Sequence, residues 1–324
     1  MLKVSTAPHI NAKTSTKSIM LDVIIALIPA TLVAIAFFGI GALLVILTAV
    51  AGCVLFEYLI CVYLLKTKTT TGDYSAIITG LLLAFNLPSN MPLWMILVGC
   101  FVAIGISKMA FGGLGKNLFN PALIGRVFLF ISFPVQMTSW PVPNWKDFWN
   151  VDVQTGATTL GIFKSKGDFG NIPSMWEMFI GYTGGCIGEI SCVALIIGFI
   201  YLLKRNIIRW YIPVCYIGTV FILTAIFWMI TGYEGFNPLI HILSGGLMIG
   251  AIFMATDYVT SPMHKKGQVI FGIACGVLTV IIRLFGSYPE GVSFAILIMN
   301  AFVPLIDQYT VPRVFGKKMK AKNK

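Results

Sequence analysis

The chain has 324 residues, 57% of them hydrophobic and only 11% charged, with a formal net charge of +11. Water-soluble domains carry about 25% charged residues, so this composition excludes a soluble globular protein and points to an all-α polytopic protein embedded in a lipid bilayer. The positive charge is not a nucleic-acid footprint, because the basic residues sit in short loops beside hydrophobic runs, where they orient membrane helices.

The first 18 residues are polar, carry Lys3, Lys13 and Lys17, and show no signal-peptide pattern. Ten apolar segments follow, at about 19–38, 41–65, 74–88, 91–109, 118–133, 181–203, 208–231, 237–255, 267–285 and 290–308. The third is short for a full span. It starts after Thr71-Gly72-Asp73 and stops at Leu87-Pro88, since proline disfavours helix at the residue before it.

With the N-terminus placed in the cytoplasm, most of the 23 basic residues fall inside, including Lys66, Lys68, Lys108, Lys116, Lys204, Arg205, Arg209, Lys265, Lys266 and the tail from Arg313. Only Lys146, Lys164 and Lys166 lie in the long loop between segments five and six. The positive-inside rule therefore puts that loop on the outer face and both termini in the cytoplasm.

The expected division is a cytoplasmic segment 1–18, a first five-helix repeat 19–133, an outer loop 134–180, a second five-helix repeat 181–308 and a basic cytoplasmic tail 309–324. An odd number of helices per half inverts the second half relative to the first, an arrangement that places sites at short or broken helices. A faint echo supports it: Thr79-Gly80 opens a small-residue stretch ending at Pro88, and Ser244-Gly245-Gly246 opens another ending at Pro262.

Two motifs carry chemistry. The outer loop contains Asp152-Val153-Gln154-Thr155-Gly156-Ala157-Thr158. Its threonine hydroxyl is able to become a phosphoester, and Gly156 and Ala157 leave the backbone open to a modifying enzyme; a plain turn of small residues is the competing reading. The second motif runs from Gly112 to Arg126. Gly112, Gly113 and Gly115 let a planar ligand approach the backbone, or else let helices pack closely. Asn117 and Asn120 are candidate helix caps ahead of Pro121. Arg126, inside an apolar segment, calls for a partner or a cavity unless it snorkels to the interface.

Among charges at depth, Glu57 and Glu189 are candidates for an ion or proton relay, or for partners of Arg126 or Arg283. Asp22, Arg283 and Asp307 lie near segment ends and are read as interfacial. Trp140, Trp145, Phe148, Trp149 and Trp176 are read as an interfacial belt, with a bed for an aromatic cofactor as the second reading. The seven cysteines form no CxxC, and His9, His241 and His264 do not cluster, so neither an iron–sulfur cluster nor a metal site within the chain is expected.

Three stretches together, DVQTGAT from Asp152, GGLGKNLFNPALIGRVFL from Gly112 and SGGLMIGAIFMATDYVTSP from Ser244, resemble the NqrB/RnfD family. Its members are the RnfD component of the Rnf complex and the NqrB component of the sodium-pumping NADH:quinone oxidoreductase. The resemblance covers essentially the whole chain. The first apolar segment follows 18 polar residues without the long N-terminal extension associated with the quinone-reducing relative, so the Rnf branch is expected.

The resemblance implies about ten transmembrane helices in two inverted five-helix repeats, similar to urea transporters. It implies FMN esterified to Thr158, the last residue of a pattern that includes Asp152, Thr155, Gly156 and Ala157. It further implies a ferredoxin:NAD oxidoreductase complex in the cell membrane that couples electron transfer to Na+ or H+ movement. The expected partners are other membrane and peripheral subunits, a second FMN-carrying subunit among them, and an FMN transferase for maturation. A second, non-covalent flavin such as riboflavin is part of the same picture. Its candidate residues are Gly112, Gly113, Gly115, Asn117, Asn120, Arg126, Ser244 and Gly245. The rival function is a solute channel or transporter on the same scaffold, which leaves the loop motif unexplained.

Overall fold

The computed structural model describes residues 15–67, 69–143, 155–156, 158–164, 173–189, 191–232, 237–286 and 288–312. Nearly all regular structure in them is helical.

Helix α1 (Thr16–Leu59) continues as a π-helical turn through Ile60–Leu64. As one straight rod its 44 residues would extend about 66 Å, roughly twice the hydrocarbon core of a bilayer. Gly39 breaks the rod, with φ 62° and ψ −144°, a conformation open to glycine and closed to side-chain-bearing residues. The chain then doubles back: Lys17 Nζ, near the start of α1, lies 5.0 Å from the ring of Tyr74 beyond its end. The two arms correspond to the first two expected segments.

Helix α2 (Ser75–Phe85) is 11 residues long, and all but Ile77 are buried. At about 1.5 Å per residue it reaches only halfway across a bilayer core. It packs backbone to backbone on α1: a Cβ on Gly80 would sit 2.7 Å from Val50 Cα. Helix α3 (Leu93–Phe101) loosens into a π-helix over Val102–Met109, and α4 (Pro121–Ser132) begins under an Asn120 cap that accepts from the N–H groups of Ala122 and Leu123.

After the short α5 (Pro134–Met137), Trp140–Pro141 (β1) pairs antiparallel with Thr155–Gly156 (β2), which pins the loop motif to the body of the protein. The short helices α6 (Thr159–Lys164) and α7 (Met175–Ile180) follow.

Segment six, expected from residue 181, becomes helical only at Cys192, where α8 (Cys192–Lys204) starts. Among residues 181–189 the described backbone is non-helical, and it serves as the cap of α2. The N–H groups of Ile187 and Gly188 bond Leu87 O and Phe85 O at 3.0 and 2.8 Å, and Cys186 Sγ reaches Asn86 O at 3.3 Å. These carbonyls would otherwise be stranded at membrane depth, where every backbone group needs a protein partner.

Helix α9 (Tyr211–Thr231) is followed by α10 (Pro238–Leu243), a break at Ser244–Gly246, and α11 (Leu247–Ile249) with a π-helical continuation over Gly250–Met254. The eighth expected segment is thus interrupted where Gly245 takes φ 71°. Helices α12 (Lys265–Phe285) and α13 (Val292–Thr310) complete the bundle. α1, α9, α12 and α13 are long and apolar enough to cross a membrane; α2, α4 and α8 are apolar but shorter.

Candidate functional site

Thr158 stands directly before α6, half-buried, with its backbone carbonyl accepting the Ile162 N–H at 2.9 Å. Its Oγ1 accepts the Gly161 N–H at 3.0 Å. A Cβ on Gly161 would lie 3.1 Å from that oxygen, so glycine is what keeps the hydroxyl uncrowded. Lys164, at the end of the same short helix, donates to Tyr288 O at 2.7 Å and ties it to the lead-in of α13. Partial burial pushes the Lys164 ammonium below its usual range.

Beneath Thr158 lies a cavity of about 10 Å³, lined among others by Thr159, Thr183, Glu189, Ser244, Gly245 and Glu290. Behind its wall sits Arg126, 5% exposed. Its Nη1 donates to Asn86 Oδ1 at 2.7 Å and to Ser293 Oγ at 2.9 Å; its Nη2 donates to Glu290 Oε2 and points at Cys186 Sγ at 3.8 Å. Glu189 Oε1 is 3.6 Å from the same Nη2. A second buried cation closes the cluster: Arg283, 1% exposed, donates to the carbonyls of His241 at 2.5 Å and Ser244 at 3.3 Å.

The arrangement unites residues from α4, α12, the α10–α11 break, the non-helical stretch before α8 and the lead-in of α13. A buried arginine paired with carboxylates inside an apolar bundle is a functional constellation by default, since a bare charge at that depth is costly.

The sequence profile of the NQR2, RnfD, RnfE family matches residues 3–316. The chain belongs to this family. It is 49% identical over 318 residues to the D component of the Na+-translocating ferredoxin:NAD+ oxidoreductase complex of Acetobacterium woodii, covering 97% of this chain and 95% of that protein. It is 46% identical over 322 residues to the D component of the proton-translocating ferredoxin:NAD+ oxidoreductase complex of Clostridium ljungdahlii, covering 97% and 96%. It is 38% identical over 340 residues to the D component of the ion-translocating oxidoreductase complex of Stutzerimonas stutzeri, covering 96% and 95%.

For this family member the structure sorts the residues singled out in the sequence into two places. Thr158, Arg126, Ser244 and Gly245 belong to the cavity beneath Thr158 and its wall. Thr155 and Gly156 form β2, while Asp152 and Ala157 lie outside the described residues, as do Trp145, Phe148 and Trp149.

Asn117 and Asn120 line a different and larger cavity, of about 90 Å³, together with Ser75, Lys108, Leu114 and Asp257. Gly112, Gly113 and Gly115, close to Leu114 in the chain, do not line this cavity and take φ of 102°, 91° and 90°. Asn117 is not a cap: its Nδ2 donates to Phe119 O at 3.1 Å, and Asn120 alone caps α4.

Several expectations change. Arg283 is not interfacial but among the largest fully buried side chains. Arg126 does not snorkel. Glu189 is not within a helix; it precedes α8. Lys108 is not a loop charge: 2% exposed, its Nζ lies 2.5 Å from Glu57 Oε2 and 2.7 Å from Ser75 Oγ, with Thr70 Oγ1 donating to Glu57 Oε1 at 2.5 Å. Of the belt aromatics, Trp140 is buried at 8% exposure, whereas Trp176 is 74% exposed. Asp22, 7% exposed, takes Tyr201 and Arg205 as donors at 2.8 and 3.2 Å, so its carboxylate is buried and paired.

Glu290, Asn86, Ser293 and Thr183 escaped the sequence reading. The available signal was Glu290 itself, an acid in a Tyr-Pro-Glu-Gly turn between two apolar segments.

Proposed function

We propose that this chain is the membrane subunit of an ion-translocating ferredoxin:NAD oxidoreductase complex, carrying FMN as a phosphoester on Thr158 and relaying electrons coupled to Na+ or H+ transport. The observation that carries this reading is the Thr158 hydroxyl: it is half-buried, uncrowded because residue 161 is glycine, and set above a buried charged cluster. The relatives named above supply the ion-translocating oxidoreductase context.

The residues fit the group. Thr158 would hold FMN through its phosphate: as the transferase forms the Oγ–P bond, the pyrophosphate bond of a flavin dinucleotide donor would break and the nucleoside monophosphate would leave with the hydroxyl proton, and in the unmodified chain the Gly161 N–H is directed at that oxygen. When bound, FMN supplies one- and two-electron chemistry. Thr158 holds it on a short tether, and Arg126 and Arg283 place fixed positive charge behind the cavity wall.

The proposal includes ten crossings in two inverted halves, with the Thr158 loop between them on the outer face. The break at Gly39 and the interrupted eighth segment support the count. A paired feature supports the repeat: Lys108 ends the fourth segment and bonds Ser75 at the head of the third, and Arg283 ends the ninth and bonds His241 in the eighth. The sparse basic residues of the 134–180 loop support its outer placement. A second, non-covalent flavin belongs in the cavity of Asn117 and Asn120, since Ser244, Gly245 and Arg126 are committed beside Thr158. The other subunits, a second FMN-carrying one included, and an FMN transferase are partners on this reading.

The test is in-gel flavin fluorescence and intact mass of the chain co-expressed with an FMN transferase. A fluorescent band that Thr158→Ala abolishes, with a mass gain of one FMN less one water, is expected. A dark wild-type band refutes the reading.

A further inference from the structure

Glu189 carries a buried carboxylate oxygen that no donor in the described protein serves. The residue is 7% exposed, and its Oε1 has no hydrogen-bond partner. Arg126 is the nearest cation, and at 3.6 Å it is too far for a hydrogen bond. It does not turn to close the gap, because its four terminal N–H groups go to Asn86, Ser293, Glu290 and Cys186. Arg283 is committed to the carbonyls of His241 and Ser244.

The carboxylate lines the cavity beneath Thr158. The polar side chains around it, from Thr158, Thr159, Thr183, Ser244 and Glu290, all end in oxygen. An oxygen-only donor set suits hard cations. The volume, about 10 Å³, holds one small ion or one water. The two arginines already balance the two carboxylates, so a monovalent ion leaves the cluster with one net positive charge and a divalent ion with two, which favours the smaller charge.

We propose that this cavity binds one small monovalent cation on the Glu189 carboxylate, with the surrounding hydroxyls and Glu290 completing its oxygen shell. Na+ and a proton share that chemistry, a single positive charge on the carboxylate. The site needs only the unmodified chain and does not rest on the flavin reading.

The test uses the full chain expressed without a flavin transferase and purified in detergent. Thermal unfolding is followed with Na+ exchanged for choline at constant ionic strength, then across pH without Na+. If the occupant is Na+, the unfolding temperature rises saturably with Na+, as for any ligand selective for the folded state. Glu189→Gln removes that rise. Thr183→Val, which leaves every charge in place, raises the half-saturating Na+ concentration at least tenfold.

If the occupant is a proton, Na+ has no effect and stability falls as pH rises through one transition that Glu189→Gln removes. The groups facing Glu189 there are Arg126, Glu290, Cys186 and Arg283. A Na+ or pH response identical in wild type and Glu189→Gln, or no response to either, overturns the proposal. Should Glu189→Gln fail to fold, Thr183→Val decides alone, and unchanged midpoints refute the site. Because the chain prepared without the transferase carries no flavin, failure here leaves the flavin reading standing, and a dark gel band leaves the cation site standing.

Discussion

Replacing Lys108 with methionine tests whether the buried Lys108–Glu57 ion pair is as dry as its geometry states. Methionine keeps an unbranched apolar stem and removes the ammonium. Among the described residues Glu57, 0% exposed, would then keep the Thr70 hydroxyl and no counter-charge. Removing one member of a buried pair costs about 3–5 kcal/mol, because the other charge is left uncompensated. At about 1.4 kcal/mol per factor of ten, the folded-to-unfolded ratio drops by roughly two to three and a half orders of magnitude.

The double variant Glu57→Leu/Lys108→Met removes both charges and recovers most of that loss, since apolar replacement of a buried pair is often neutral. The four proteins form a mutant cycle, read by equilibrium unfolding in detergent with increasing denaturant. If Lys108→Met alone costs less than about 1 kcal/mol, the ammonium reaches water, and the buried assignment is wrong.

Three further outcomes follow from the same geometry. Thr158→Ser keeps the in-gel fluorescence that Thr158→Ala abolishes, because serine supplies the same hydroxyl; fluorescence in the alanine variant would exclude Thr158 as the anchor. Gly198→Ala forces α8 off α1, since its Cβ would clash with the Ala26 carbonyl oxygen; a loss of about 1–3 kcal/mol in thermal or chemical unfolding is expected, and wild-type stability would refute that packing. The Ser174 N–H and hydroxyl, bonded to Glu177 at 2.7 and 2.9 Å, hold its carboxyl below the ordinary value of 4.5. The stabilisation is therefore present above that value and lost as pH falls through the lower, folded one. Amide protection factors in α7, corrected for the intrinsic exchange rate at each pH, fall on acidification in the wild type; an equal fall in Glu177→Gln would disprove the cause.

The apolar runs located the helices because burial in lipid leaves a continuous signal. The small gap between residues 38 and 41 marked the bend at Gly39, and Pro88 marked the end of the short third segment. The Asn120-Pro121 start of α4 was legible from capping chemistry alone. Residues 181–189 read as helix in the sequence because hydrophobicity does not separate a largely buried run of turns and bends from a helix. Gly181, Gly184, Gly185 and Gly188 were the overlooked warning.

Lys108 was misplaced because counting charges by loop carries no information about depth, and a lysine at a helix end reads as solvated until Glu57 is seen opposite it. Of the charged cluster, Arg126 was legible as an anomaly. Its partner Glu290 was not, because 164 residues separate them and no periodicity links the two.

The cluster's composition follows from the two interrupted helices it joins. α2 stops at Phe85 and the α10–α11 run breaks at Ser244, so each leaves polar backbone and side-chain groups at depth. In lipid these groups must be met by protein. Arg126 meets Asn86 just past the first break; Arg283 meets Ser244 O at the second; Gly188 N–H meets Phe85 O. Glu189 and Glu290 then balance the two arginines and, with Ser244, line the cavity below Thr158. A charge placed on the Thr158 oxygen would act across that small cavity on the same residues that hold both breaks. On the proposed function, a change in flavin charge therefore bears first on the contacts between interrupted helices, where a small shift in balance has a backbone break to move.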